Sequence, residues 1–330
     1  MLQLKNSTPF AASMALFPDE NAIDTLYLIV KASFKIGQHW VLSDKQHPPI
    51  VKDIYWGEPN QSSLKYASDF HIGKPTTDIV MIGNAVAPND KEVSQLDVSL
   101  SVGQVSKTIR VFGDREWKDG RITPPKPFKT MPIVYEKAFG GVHVISENEQ
   151  LIEEKNPLGC GFPGNRETLQ MNGHALPNLE DPLNLIRHYA DKPEPSCFAL
   201  SSPTWQPRVS FVGTYDDTWQ TQRAPYLPLD FDKRFFNMSH KDLVYPSYLR
   251  GGEPIMINNM HPDGILQFNV PHINLVSKVE IDSLIKTPEF NLETLIIEPN
   301  QLQLSMVWRA AMPCDKKALK INEASIALTR

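Results

Sequence analysis

Apolar and polar residues alternate most clearly at 95–112. Leu96, Val98, Leu100 and Val102 interleave with Asp97, Ser99 and Ser101, and Ile109 and Val111 interleave with Thr108 and Arg110. A period of two puts the apolar side chains on one face of an extended chain, so this stretch predicts two strands around a turn at Gly103. Further strand-like runs lie at 25–36, 78–86, 209–213, 254–260, 264–270, 302–308 and 325–328, and Pro262-Asp263-Gly264 predicts a hairpin. One short helix is expected at 182–190, with Asp181 as cap, Pro182 in the first turn and Leu183, Leu185 and Ile186 as its apolar side.

Proline changes this picture in the middle of the chain. Of 28 prolines, 14 fall within residues 121–230, a density that excludes long helices and central strands there. The same region carries Phe128, Tyr135, Phe139, Trp205, Phe211, Tyr215, Trp219, Tyr226, Phe231, Phe235 and Phe236, too much aromatic content for a disordered linker. The expected fold is all-β or β-dominated. It comprises a sandwich-like β unit at 1–125, a Pro-rich aromatic loop region at 126–245 packed on it, and a C-terminal β segment at 246–330, held by one core or two.

Charge and composition narrow the function classes. A net charge of −5 from 33 basic and 38 acidic residues supplies no broad positive field for nucleic acid. Cys160, Cys197 and Cys314 are odd in number and widely spaced, which fits a reducing compartment better than a disulfide framework. The N-terminal residues lack the pattern of a secretory signal, and no apolar run reaches membrane-spanning length, so a cytoplasmic location is expected.

Searches for catalytic patterns return little. Gly159-Cys160-Gly161-Phe162-Pro163-Gly164 matches a dinucleotide fingerprint in letters only, because Pro163 stands where the helix should begin. There is no G-x-S-x-G elbow, the nine histidines never fall at H-x-H or H-x-x-x-H spacing, and neither a metal nor a cofactor is indicated. Asp69, Asp78, Asp114, Asp216, Asp217, Asp230 and Asp232 could pair for glycosidase chemistry, although aspartates at turns and beside arginine usually serve structure. What recurs is tryptophan near arginine: Arg115 and Trp117, Trp205 and Arg208, Trp219 and Arg223, Trp308 and Arg309. Such pairs suit either clasps that pin loops to sheets or anchors of a protein interface.

Nine ordered blocks then carry a resemblance: DFHIGKPTTDIVMIGNAVAP (69–88), VFGDREW (111–117), MPIVYEKAFGG (131–141), NPLGCGF (156–162), LPNLEDP (176–182), WQPRVSFVGTYDDTW (205–219), RAPYLPLDFDKRFFN (223–237), YLRGGEPI (248–255) and WRA (308–310). In this succession the chain resembles the bacterial domain of unknown function 2169 family. The resemblance implies a cytoplasmic, non-catalytic adaptor or chaperone of type VI secretion, which holds an effector or its PAAR-like domain for loading onto the VgrG spike. No catalytic residue comes with it. From motif density, Trp117, Trp205, Arg208, Trp219, Arg223 and Tyr226 are the expected protein-binding anchors. Asp69, Asp78, Gly113, Asp114, Arg115 and Asp216 are expected to organise them. The competing expectation is a carbohydrate-active enzyme or sugar-binding module that uses paired aspartates and tryptophans.

Overall fold

The computed structural model describes residues 2–37 and 39–329. Its principal strands begin with β1 (Gln3–Asn6), β2 (Ala11–Pro18), β3 (Asp24–Lys35) and β4 (Asp78–Met81). There follow β5 (Gln95–Val102), β6 (Val105–Phe112), β7 (Leu179–Glu180), β8 (Pro254–Asn258) and β9 (Ile265–Asn269). The C-terminal set is β10 (Leu275–Ile281), β11 (Leu284–Lys286), β12 (Asn291–Glu298), β13 (Gln303–Pro313) and β14 (Ile321–Leu328). The fold is β-dominated, as the periodicity predicts.

Three sheets organise the chain. The central one runs β2-β3-β13-β12-β4, with Val41–Leu42 pairing alongside β3. The second runs β7-β6-β5-β8-β9 and the third β1-β14-β10-β11. Every pairing along the central sheet is antiparallel except β4 with β12. Strands from residues 24–35 therefore lie beside strands from residues 303–313, and the two ends of the chain close one sheet.

Period-two alternation decides what each face of that sheet meets. Leu26, Leu28, Val30, Ala32 and Phe34 of β3 join Leu304, Met306 and Trp308 of β13 in the main apolar core. The other two sheets contribute Val98, Leu100, Ile109, Ile257, Val279 and Ile326 to the same core, which draws on all three predicted segments. The opposite face of the central sheet is also buried, yet it is polar. It carries Lys31 and Ser33 from β3, Arg309 from β13, Glu293 from β12 and Asp78 from β4.

Residues 69–78 lie across this polar face and neutralise it. Asp69 meets Lys31 at 3.2 Å, Glu293 meets Arg309 at 2.7 Å, and Lys74 meets Asp78 at 2.6 Å. The three cations and three anions are all buried. Backbone donors add to each carboxylate: Ile50 N–H donates to Asp69 at 2.7 Å, Lys74 N–H to Glu293 at 3.0 Å, and Met238 N–H to Asp78 at 2.9 Å. Gly73 is required here, since its φ is +113° and an added Cβ would lie 3.2 Å from the Glu293 carboxylate. His71 stacks on Phe236 at 4.8 Å, and burial, with Arg309 and Lys74 nearby, holds its imidazole well below the usual histidine range. A small apolar cluster of Leu64, Val80, Ile82, Leu200, Met238 and Ile296 fills out the same face.

Several sequence expectations match their elements. The hairpin around Gly103 forms with Val102 opposite Val105, and the one around 262–264 forms with Asn258 opposite Ile265. Runs 25–36 and 302–308 fall within β3 and β13 except for one end residue each, and 325–328 falls within β14. The run 78–86 splits into β4 and a separate strand Asn84–Val86, because Gly83 packs against Asn300, whose Oδ1 would lie 2.2 Å from an added Cβ.

Two elements differ from expectation. Residues 182–190 form turns rather than a helix, because side-chain carboxylates take the backbone donors that a helix would use. Asp181 accepts from Leu183, Glu180 from Ile186, and Asp191 from both Arg187 and His188. Residues Arg208–Phe211 form a 3₁₀ turn rather than a strand, started by the Ser210 N–H and hydroxyl donating to Pro207 carbonyl oxygen at 3.1 and 2.6 Å. The one α-helix among the described residues is α1 (Asp217–Gln222), unforeseen inside the Pro-rich region.

Glu293→Ala removes one anion and leaves Arg309 buried with an uncompensated charge, a change expected to cost about 3–5 kcal/mol in urea unfolding. Glu293→Leu combined with Arg309→Met removes both charges and is expected to cost less than the single change. A single variant as stable as the parent would show that the layer does not depend on charge pairing.

Candidate functional site

The predicted site residues separate into four places. Asp69 and Asp78 belong to the ionic layer just described. VFGDREW forms a second buried unit at the end of β6. There Arg115 pairs with Glu180, donates to Pro177 carbonyl oxygen at 2.8 Å and lies 3.6 Å above the Phe112 ring. Asp114 accepts from Asn178 at 3.1 Å, and Trp117 is buried with Phe139, Met171, Leu176 and Ile186. Gly113 admits no side chain, because an added Cβ would stand 1.7 Å from Lys126 carbonyl oxygen. Burial pushes the Glu180 carboxyl above the usual carboxylate range, and Arg115 opposes that shift. This stretch is a clasp that fastens β6 to β7 and the loops around it.

Trp205 and Arg208 are also interior. Trp205 meets Tyr135 edge-on at 5.2 Å. Arg208 is 3% exposed and donates through Nε to Phe235 carbonyl oxygen at 2.9 Å and through Nη1 to Ser201 carbonyl oxygen. Neither meets a partner protein directly in this conformation. The guanidinium–indole stacks anticipated from spacing are replaced by other rings: Arg115 lies over Phe112, Arg208 over Phe235, Arg223 over Tyr226 and Arg309 over Tyr27.

Trp219, Arg223 and Tyr226 come together at the surface. Asp216 caps α1 by accepting from Trp219 N–H at 2.8 Å, which starts a helix where proline density argued against one. The indole Nε1 donates to Tyr226 carbonyl oxygen at 2.8 Å, and Tyr215 packs edge-on to the indole at 4.6 Å. Arg223 ties the unit down, donating to Leu227 and Glu20 carbonyl oxygens, both at 2.8 Å. At the base, Asp230 accepts from Thr214 N–H at 3.0 Å and from its hydroxyl at 2.7 Å, bonds that hold its carboxyl below the usual range. The result is a braced knob whose Tyr215, Tyr226 and Leu229 are exposed by 52%, 41% and 87%.

The knob leans on the turn after β2 through Arg223 and through Lys233, which meets Glu20 at 2.6 Å. β2 is an edge strand of eight residues without a single charge, and its Leu16 is 43% exposed. An uncharged edge offers unpaired backbone groups, a feature proteins usually guard. Sequence reading passed over β2, Tyr215 and Leu229. The uncharged run AASMALFP was the available signal for the edge.

A second exposed apolar feature is the hairpin of Val142–Ser146 and Glu149–Ile152, where Val142, Val144, Ile145, Leu151 and Ile152 all face outward. Among the described residues, no group of three or more His, Cys, Asp or Glu is placed to hold a metal ion. Nor, among them, is any helix long and apolar enough to cross a membrane.

A family model described as an uncharacterised protein conserved in bacteria, DUF2169, matches residues 21–309. No curated protein and no solved structure matches the chain.

Two outcomes follow from this geometry. Arg115→Ala strands Glu180 in the interior and is expected to cost about 3 kcal/mol or more in chemical denaturation; an unchanged midpoint would remove the clasp assignment. Burial and Lys107 hold His240 down at about 4, and His71 is depressed too, so both are neutral in the fold. Their stabilising contribution is complete above the unfolded value of about 6.5 and is lost as pH falls through the folded values. Stability is therefore expected to decline between about pH 6.5 and 4.5, before carboxylates titrate, and His240→Gln is expected to flatten that slope.

Proposed function

We propose that this chain, which belongs to the DUF2169 family, is a non-catalytic adaptor or chaperone that holds a partner protein through its aromatic knob and the neighbouring β2 edge. In this reading the partner is a type VI secretion effector or its PAAR-like domain, held in the cytoplasm until it is loaded onto the VgrG spike. The observation that carries the reading is the juxtaposition of Tyr215, Tyr226 and Leu229 with an uncharged, half-exposed edge strand. Aromatic anchors held rigidly cost little conformational entropy on binding, and a free edge can accept a partner strand by backbone pairing.

Six of the seven aspartates considered for sugar chemistry are engaged elsewhere, and the seventh, Asp217, stands in the first turn of α1. Asp69 and Asp78 are buried in ion pairs, Asp114 holds Asn178, Asp216 caps α1, Asp230 closes the knob and Asp232 pairs with Arg234. Glu180, whose carboxyl burial pushes above the usual range, is locked against Arg115. These assignments favour binding over turnover. An adaptor stabilises its client by mass action and needs no chemistry to release it.

Coexpression with the product of the adjacent gene is expected to yield a copurifying complex and more soluble client. Tyr226→Ala with Leu229→Ser is expected to weaken that complex roughly tenfold or more with at most a small shift of the unfolding midpoint, since Leu229 is exposed and Tyr226, which meets Arg223, is 41% exposed. Full binding by this variant would move the interface away from the knob.

A further inference from the structure

A cavity of about 440 Å³ opens beside the ionic layer, between the turn holding Arg208 and the segment 234–244. Pro195, Pro207, Phe211 and Val244 supply apolar wall. Of its charged lining residues, Lys155, Arg208, Arg234 and Lys241 are basic and Glu194 alone is acidic.

Arg208 is the unusual member. The ionic layer beneath is balanced, three cations against three anions, while Arg208 is 3% exposed and forms no salt bridge among the described residues. Its Nε and Nη1 reach backbone carbonyls, and Nη2 has no acceptor among the described residues. A buried guanidinium normally has an anionic partner, because desolvation penalises an isolated charge. Burial pushes this one down to about 10, and Asp78 and Asp53 oppose the fall from nearby without forming a salt bridge to it.

Tyr135 lines the same cavity, 4% exposed, and its hydroxyl likewise makes no hydrogen bond to a described residue. Burial raises the phenol far above its ordinary value, so it stays protonated as a donor. At the mouth, Glu194 is bridged by Lys155 at 2.8 Å and Lys241 at 2.5 Å, so two cations outweigh the one anion that faces an incoming carboxylate.

We propose that this cavity binds the carboxylate of an organic acid with an apolar body, either a free acid or the C-terminal carboxylate of a peptide ending in an apolar residue. Arg208 and Tyr135 hold the carboxylate, and the proline and phenylalanine walls cover the apolar part. A planar guanidinium with a free N–H matches a carboxylate in shape and charge. This inference goes beyond the adaptor reading and does not require it.

Calorimetric titration of the full chain tests it with four probes: 4-phenylbutyrate, 4-phenylbutyramide, and the tetrapeptide Ala-Ala-Gly-Leu as free acid and as C-terminal amide. At least one acid is expected to bind, with its amide about tenfold weaker or worse. Binding of phenylbutyrate alone identifies a small-acid site, and binding of the peptide acid alone identifies a chain-terminus site. Arg208→Gln can also disturb folding, because Arg208 staples Ser201 to Phe235. Tyr135→Phe keeps the ring against Trp205, removes only the hydroxyl, and is expected to weaken acid binding about tenfold at an unchanged unfolding midpoint. Acid and amide binding alike, no acid binding at millimolar concentration, or full binding by Tyr135→Phe would overturn the proposal.

Discussion

A sheet buried on both faces cannot carry an unpaired charge, and that constraint organises this molecule. β3, β12 and β13 place Lys31, Glu293 and Arg309 on the inner polar face, where each must find its counter-charge within the protein. The segment 69–78 supplies Asp69, Lys74 and the turn at Gly73, and β4 continues directly from it with Asp78. The ion pairs thus fix the path of the chain into β4 and the parallel pairing of β4 with β12. Such pairs contribute little net stability beyond an apolar substitute, but breaking one is costly, so they specify a single arrangement.

The layer reaches outward through residues 235–238. Asn237 donates to Asp78 at 3.0 Å and also lines the Arg208 cavity, while Phe236 covers His71. The knob that begins at Thr214 is closed by Asp230 and returns to this same segment through Asp232, which caps the turn Lys233–Phe236. Its exposed aromatic rings are therefore carried by a loop whose base leads into the segment packed on the ionic layer. This arrangement reconciles a proline-rich, irregular middle with a surface rigid enough to recognise a partner.

Much of the fold was legible because alternation survives wherever one face meets the core, as in Val98, Leu100, Val102, Ile109 and Val111. It failed where the reason for a residue lay far away in sequence. Nothing beside Lys31 or Arg309 in the sequence announces their partners at 69 and 293. Asp181 was expected to cap a helix, yet its carboxylate and that of Asp191 captured donors of the intervening turns. Tryptophan near arginine located the right segments but mistook the contacts, because sequence spacing cannot tell an indole from a phenylalanine several residues away as the ring a guanidinium covers. Trp117, Trp205 and Arg208 proved interior, while Tyr226 with Trp219 and Arg223 formed the surface unit.

The adaptor account rests on the knob and the β2 edge acting as one interface, and backbone hydrogen exchange reads both at once. The measurement compares the chain alone with the chain bound to the product of its adjacent gene, resolved by peptide mass spectrometry. Under this account, binding slows exchange in residues 11–23 and 214–229 and leaves the already protected strands β3, β12 and β13 unchanged. Protection confined to the hairpin at 142–152, with 11–23 and 214–229 unaffected, would contradict it.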